Sequence, residues 1–306
     1  MPSNIPYYKL LIVALFVLST AYIHWRGRVR LSLGRQLTDH STFMAPINCF
    51  MYLFSRVPAS PYLPLSAFPE MKLLQDNWRT IREEALKLSA QGAIRKSDKF
   101  DDVGFNSFFK TGWTRFYLKW YGQPIPSAET LCPQTTALLR RIPNIKAAMF
   151  TALPPGGRLV RHRDPYAGSL RYHLGLVTPN NDACFIDVDG TPYSWRDGEA
   201  VIFDETYLHY AENRSDGNRI ILFCDIERPL YGRIARAVNR FVSRCLLGAA
   251  TSPNQVGDPT GGLNKAFGQV QKVRLIIKRF RTRNKKLYYL LKWLLLGGLF
   301  AWWLLA

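Results

Sequence analysis

From Ile145 to Glu227 the chain is a succession of seven short apolar runs: IKAAMFTAL, RLVRHR, SLRYHLGLV, ACFIDV, YSWRD, EAVIFD and RIILFCDIE. Turn residues stand between them, in PPGG, TPNND, DGTP and SDGN. Strands this short, with no crossover helix to make them parallel, must pair antiparallel and close over a shared interior. The expected core is therefore mainly β, a double-stranded β-helix or jelly roll. Upstream, Leu73, Leu74, Trp78, Ile81, Ala85 and Leu88 recur at helical spacing and predict one helix over residues 70–90. Pro58, Pro61, Pro64 and Pro69 predict an extended connector before it.

A net charge of +19 suggests a nucleic-acid binder until its location is considered. The excess lies in residues 1–38 and 228–306, and residues 39–227 are formally neutral. No nucleic-acid partner is expected. The same two ends carry the long apolar runs, IPYYKLLIVALFVLSTAYIHW (5–25) and LYYLLKWLLLGGLFAWWLLA (287–306), each about the length of a transmembrane helix. The basic cluster Arg26–Arg35 follows the first run rather than preceding it, the wrong polarity for a cleaved signal. With the basic run Lys272–Lys286, it places both flanks, and the whole middle of the chain, on the cytoplasmic side. Five cysteines without a CxxC suit a reducing compartment.

Residues 41–57 are apolar but too short to span; interface, re-entrant piece and core all remain open. After Pro229, Arg233, Arg236, Arg240 and Arg244 recur on one helical face, with Ile234, Val238, Phe241 and Cys245 on another. That pattern fits a helix lying on an anionic membrane surface, or a solvated basic face. The expected organisation is an anchor (1–25), a membrane-proximal connector (26–69), a catalytic jelly roll (70–228), a basic amphipathic helical region (229–286) and a second anchor (287–306).

The chemistry-bearing residues cluster in HRDPYAGSLRYHLGL (162–176). His162 and Asp164 stand at i and i+2, on one face of an extended strand. His209 follows at a strand-to-loop edge after AVIFD. Two imidazoles and one carboxylate make the facial triad of non-haem Fe(II) oxygenases; hydrogen-bonded histidines with no metal are the alternative. Arg219, heading the strand RIILFCDIE, is costly inside an apolar barrel unless a carboxylate meets it, and its fork suits the distal carboxylate of 2-oxoglutarate. Alternatively it is a turn residue paired with Asp216 or Glu212. Arg171 and His173, again i and i+2, can meet the carboxylate and keto end nearest the metal.

The runs HRDPYAGSLRYHLGL, WRDGEAVIFDETYLHYAEN and NRIILFCDIERP together resemble the aspartyl/asparaginyl β-hydroxylase family of Fe(II)/2-oxoglutarate dioxygenases. GRQLTDHSTFMAPINCFMYLFS near the front, between two terminal anchors, resembles its bacterial lipid A 2-hydroxylase branch. The resemblance implies iron ligation by His162, Asp164 and His209. It also implies that 2-oxoglutarate is bound by Arg171 and His173 at one end and by Arg219, with Thr151, at the other. Fe(II), 2-oxoglutarate and O2 are the implied cofactor and cosubstrates. The implied reaction is hydroxylation of a lipid A acyl chain at position 2, releasing succinate and CO2, at the bacterial inner membrane. Asp164 stands where the family's animal peptidyl hydroxylases have Gly, which speaks against a peptide substrate. Peptidyl aspartyl or asparaginyl hydroxylation, and a membrane-tethered cupin that binds metal without turnover, are the rival readings. The apolar stretch 41–57 and the aromatic segment 105–121 are candidates to shield the acyl chain, and Lys110, Arg115 and Lys119 to meet lipid A phosphates; core aromatics with a solvated basic edge are the alternative.

Overall fold

The computed structural model describes residues 6–97 and 99–305; residues 1–5 of the first expected anchor and Ala306 of the second lie outside them. Ten strands form two antiparallel sheets. They are β1 (Tyr62–Leu63), β2 (Thr114–Trp120), β3 (Ile145–Leu153), β4 (Arg158–His162), β5 (Ser169–Val177), β6 (Cys184–Val188), β7 (Thr191–Ser194), β8 (Ala200–Phe203), β9 (His209–Asn213) and β10 (Arg219–Glu227). The larger sheet runs β1-β8-β5-β10-β3-β2 and the smaller β4-β9-β6-β7. From β3 onward the chain alternates between the two sheets, except at the β6–β7 hairpin within the smaller one, in the interleaved order of a jelly roll.

Eight strands, not seven, build this roll between residues 145 and 227. The additional one is β9, HYAEN, which has no apolar run to announce it. It pairs with β4 and β6 and buries alternate residues His209, Ala211 and Asn213. His209 therefore opens a strand of its own instead of standing at the strand-to-loop edge after AVIFD. The helix expected over 70–90 is also divided, into α5 (Lys72–Asp76) and α6 (Trp78–Ala90). At the break, Asn77 turns its side-chain amide back to the Leu73 carbonyl at 2.8 Å, competing with the backbone ladder.

Ahead of the roll lie α1 (Tyr7–Trp25), α2 (Leu33–Gln36), α3 (His40–Phe43) and α4 (Ala45–Leu53). Before β3 come α7 (Pro126–Leu131) and α8 (Pro133–Arg140), and after β10 come α9 (Arg233–Val242), α10 (Gly262–Arg283) and α11 (Lys285–Leu305). β5 and β10 are buried on both faces. Leu170, Tyr172, Leu174, Ile220, Leu222 and Cys224 join the main core, leaving the opposite parity free to carry polar groups inward. Among the described residues, α1 alone is long and apolar enough to cross a membrane by length and composition.

The chain just after α1 is bolted to the barrel. Arg26 lies between the rings of Tyr52 and Tyr207, 4.0 Å from each centroid, and donates to Asp204 at 2.7 Å and to Thr206 Oγ1 at 3.0 Å. The amides of Arg28 and Val29 donate to the Asp189 carboxylate at 3.0 and 2.8 Å. At the other end of α1, Lys9 Nζ donates to the Trp303 carbonyl of α11 at 2.8 Å.

Candidate active site

One cavity inside the roll gathers all seven residues that the sequence singles out: Thr151, His162, Asp164, Arg171, His173, His209 and Arg219. Strand parity brings them there. On β10, Arg219, Phe223 and Asp225 share the inward face; Phe223 pairs with His173 and Asp225 with Arg171 on β5, while Ile221 pairs with Thr151 on β3. His162 reaches the cavity by a different device. A bulge between Leu159 and His162 adds a residue against β9, so both side chains line the cavity although they stand three apart. Asp164 lies past the end of β4, where its amide donates to the Glu205 carbonyl at 2.9 Å.

His162, Asp164 and His209 each offer a ligand atom, all within 4.8 Å of one another. His162 Nε2 is 3.5 Å and His209 Nε2 4.0 Å from Asp164 Oδ1. The Nδ1 atoms of the two histidines lie 2.7 Å from the Val160 carbonyl and 3.0 Å from the Tyr207 carbonyl. With Nδ1–H donating to those carbonyls, each Nε2 turns a lone pair toward the carboxylate, the tautomer a metal requires. Burial holds both imidazoles neutral. The His162 pKa is lowered, and that of His209 falls to about 3 through burial and the neighbouring His162 ring. Burial alone would raise the Asp164 carboxyl, but the neighbouring Arg171 outweighs it and keeps it ionised.

Arg171 is enclosed by acids. It pairs with Asp164 at 2.5 Å, with Glu205, and with Asp225 at 3.0 Å through Nε, and its guanidinium carbon lies 3.7 Å from the Phe223 ring centroid. Burial opposes its charge, but the three carboxylates raise its pKa. Sequence reasoning did not reach Glu205 or Asp225. Asp225 carried a usable signal, since it shares inward parity with Arg219 in RIILFCDIE; Glu205 lies in a loop and carried none.

Deeper in, the polar groups lack partners. Among the described residues, Thr151 Oγ1, both ring nitrogens of His173, and Nε and Nη2 of Arg219 are buried without a hydrogen bond. Burial, with Arg171 and Arg219 nearby, pushes the His173 pKa well below its ordinary value. Arg219 is not a turn residue: it is 2% exposed and stacked on Trp195 at 4.5 Å, while Glu212 pairs with Arg214. Burial lowers its pKa to about 10, so it remains cationic at neutral pH with no carboxylate bonded to the two nitrogens that face inward. Buried donors and a buried cation are costly unless something meets them. An anion with a carboxylate at one end satisfies Arg219 and Thr151, and its other end lies toward His173 and the triad. The residues present fit both a triad-bound metal and a 2-oxo dicarboxylate.

The remaining wall is apolar: Phe105, Phe108, Trp113, Leu159, Ile186 and Ala211. Phe108 packs tilted against His162 with centroids 4.8 Å apart. Of the aromatic segment, Phe105, Phe108 and Trp113 line the cavity, whereas Phe116, Tyr117, Trp120 and Tyr121 belong to the main core, and its cations divide. Lys110 is exposed. Arg115 is buried and bonded to Asp102 and Ser252, which removes it as a phosphate contact. Lys119 lies in a separate pocket with Lys146, Arg240 and Arg244.

The sequence pattern of the family described as aspartyl/asparaginyl beta-hydroxylase matches residues 75–229. An ornithine lipid ester-linked acyl 2-hydroxylase of Rhizobium tropici is 33% identical over 203 residues, covering 64% of this chain and 69% of that protein. Aspartate beta-hydroxylase domain-containing protein 2 of Xenopus tropicalis is 30% identical over 226 residues, covering 67% of this chain and 58% of that protein. Human aspartyl/asparaginyl beta-hydroxylase is 28% identical over 166 residues, 52% of this chain and 21% of that protein.

Proposed function

The chain belongs to the aspartyl/asparaginyl β-hydroxylase family, and from that premise we propose that it is a membrane-associated Fe(II)/2-oxoglutarate dioxygenase. Its substrate on this reading is position 2 of an acyl chain on a membrane lipid, lipid A foremost. One observation carries the reading: the metal-ready triad shares its cavity with a buried, unpaired arginine and buried donors that a bound anion would satisfy. His162, Asp164 and His209 hold the metal. Arg219 and Thr151 take the distal carboxylate of 2-oxoglutarate, and His173 lies toward its keto end. When bound, iron with 2-oxoglutarate and O2 supplies the oxidising power to insert one oxygen atom into an unactivated C–H bond, with succinate and CO2 released.

The protein's own contribution is placement and exclusion. Arg171, engaged by Asp164, Glu205 and Asp225, keeps Asp164 ionised and oriented instead of taking its expected place at the near carboxylate of 2-oxoglutarate. The backbone carbonyls of Val160 and Tyr207 fix the two imidazoles. Phe105, Phe108 and Trp113 keep water from the metal side. A peptide aspartate would have to bring a charge past these aromatic walls, whereas a methylene chain is compatible with them. The relative named as a lipid acyl 2-hydroxylase supports the same choice. Lys110, Arg158 and Arg161, exposed near Phe108 and His162, would on this reading meet lipid phosphates.

The test is turnover by the purified full chain with Fe(II), 2-oxoglutarate and O2, offered lipid A, an ornithine lipid or an aspartyl peptide. The expected product is lipid A heavier by one oxygen atom on an acyl chain. Oxygen gained by the ornithine lipid alone would keep the acyl hydroxylase and discard lipid A. Oxygen gained only by the peptide would overturn the lipid reading.

A further inference from the structure

Helices α2 to α4 turn two different faces outward and inward. Leu33, Leu37, Phe43 and Leu53 are each 66–77% exposed, which no soluble surface requires. Beside them, α9 exposes Ile234 at 77% and Phe241 at 68%, while Ala235 packs into a satellite core with Met51 and Leu230. α9 is tied to α4 through the backbone: Arg56 N donates to the Pro229 carbonyl at 2.9 Å, and Tyr231 N to the Phe54 carbonyl at 2.8 Å. The exposed apolar groups of both elements thus sit on one connected substructure. Arg233, Arg236, Arg240 and Arg244 flank its α9 edge, and no acid occurs between Arg228 and Gly257.

The height of this substructure along α1 can be read from its contacts. Cys49 Sγ lies 3.7 Å from the Ser19 carbonyl, and the rings of Tyr52 and Tyr22 are 6.1 Å apart. At 1.5 Å per residue, Ser19 lies about 9 Å inside the Trp25 end of α1. If α1 spans, α4 runs at the depth of the headgroup–acyl boundary, where amphipathic helices bury their apolar faces by ~5–10 Å.

We propose that Leu33, Leu37, Phe43, Leu53, Ile234 and Phe241 form a seat that enters the headgroup–acyl boundary of an anionic bilayer, beside and in addition to α1. The opposite side of the same helices grips the metal loop. His40 Nε2 lies 2.8 Å from the Arg163 carbonyl, and Arg163 donates to Gln36 at 3.2 Å. Asn48 bonds the Pro165 carbonyl at 3.0 Å and the Ala167 amide at 2.9 Å. One wall of the seat is therefore the wall that carries His162 and Asp164, so an acyl chain reaches the metal side without leaving the bilayer. That last consequence rests on the proposed function; the seating does not.

Bromine-labelled lipids read the seating directly. In the full chain, Cys49 and Cys245 are replaced by Ser, leaving the buried Cys132, Cys184 and Cys224 unreactive. A bimane probe is then placed at Phe43→Cys, Leu53→Cys, Phe241→Cys or, as control, Glu83→Cys on α6. The protein is reconstituted into nanodiscs whose phosphatidylglycerol and phosphatidylcholine carry bromine high on the acyl chain. Quenching at positions 43, 53 and 241 but not at 83 is expected, with quenching at 241 weakening when phosphatidylglycerol is omitted. Probes at 43, 53 and 241 as unquenched as that at 83 would overturn the seat, as would equal loss of fluorescence without bromine, which signals a second copy covering this face. Indifference of position 241 to phosphatidylglycerol would overturn the anionic preference. No outcome depends on hydroxylation, so a failed lipid assay leaves this result standing and the reverse.

Discussion

Arg219 stacks on Trp195 with Nε and Nη2 unbonded, whereas Arg171 is held by Asp164, Glu205 and Asp225. The two guanidinium groups should therefore fail differently. Arg219→Ala removes a charge-assisted pair worth ~3 kcal/mol, so the apparent 2-oxoglutarate affinity should fall by about 100-fold while Fe(II) affinity stays near wild type. Arg171→Gln frees the Asp164 carboxyl to rise and loosens its orientation, so Fe(II) affinity should fall by about 10–100-fold, the cost typical of losing a group that orients a ligand. Calorimetric titration of each variant separates the two; equal losses of metal and cosubstrate in Arg219→Ala would contradict its role. Glu205 adds a pH dependence. Burial, with Asp225 and Asp164 nearby, raises its pKa from the ordinary 4.5 to about 8 against Arg171's opposing pull. The folded state then binds more protons than the unfolded one between these values. The contribution of Glu205 to the stability of the metal-free protein is full below ~4.5 and is lost as pH rises through ~8. Glu205→Gln should flatten that fall in melting temperature; an unchanged slope would place the titration elsewhere. At this scale the sequence was informative wherever strand parity alone decided direction, as for His173 and Arg219. It was silent on Glu205, whose position depends on a loop closing against another strand.

The bulge in β4, the break at Asn77 and the strand HYAEN are where elements departed from the apolar pattern. Two are decided by a contact from outside the element, β9 against the β4 bulge and two flanking strands around HYAEN, whereas the break at Asn77 is local, its side chain returning to the Leu73 carbonyl. The long alternating runs needed no such help, and the roll was legible from them. Gly175 shows how closely the elements pack. A Cβ there would meet the Arg196 carbonyl oxygen at 2.0 Å, so Gly175→Ala must push β5 from the β7–β8 loop and should destabilise the barrel measurably in a thermal melt. Arg26 makes a comparable link between α1 and the loop leading to His209. Arg26→Gln leaves Asp204 with Arg228 but removes one charged hydrogen bond, which should cost about 2 kcal/mol and lower the melting temperature by several degrees. No change would mean that the α1 junction is not coupled to the barrel.

On the scale of the whole chain, the neutral middle contains the barrel and the basic ends contain the flanking helices. The charge distribution leads the sequence reading away from nucleic acid and toward a bilayer, but it does not reveal that α2 to α4 touch both α1 and the loop that carries Asp164. That arrangement depends on tertiary contacts such as His40 with Arg163 and Cys49 with Ser19. The central claim is that one cavity holds iron on His162, Asp164 and His209 and 2-oxoglutarate on His173, Arg219 and Thr151. Anaerobic titration of the full chain with Fe(II), followed by 2-oxoglutarate, tests it most directly. A visible charge-transfer band should grow to one equivalent of each, be absent from His209→Ala, and require far more 2-oxoglutarate in Arg219→Ala. A folded protein that binds Fe(II) yet develops no band at saturating 2-oxoglutarate would contradict the account.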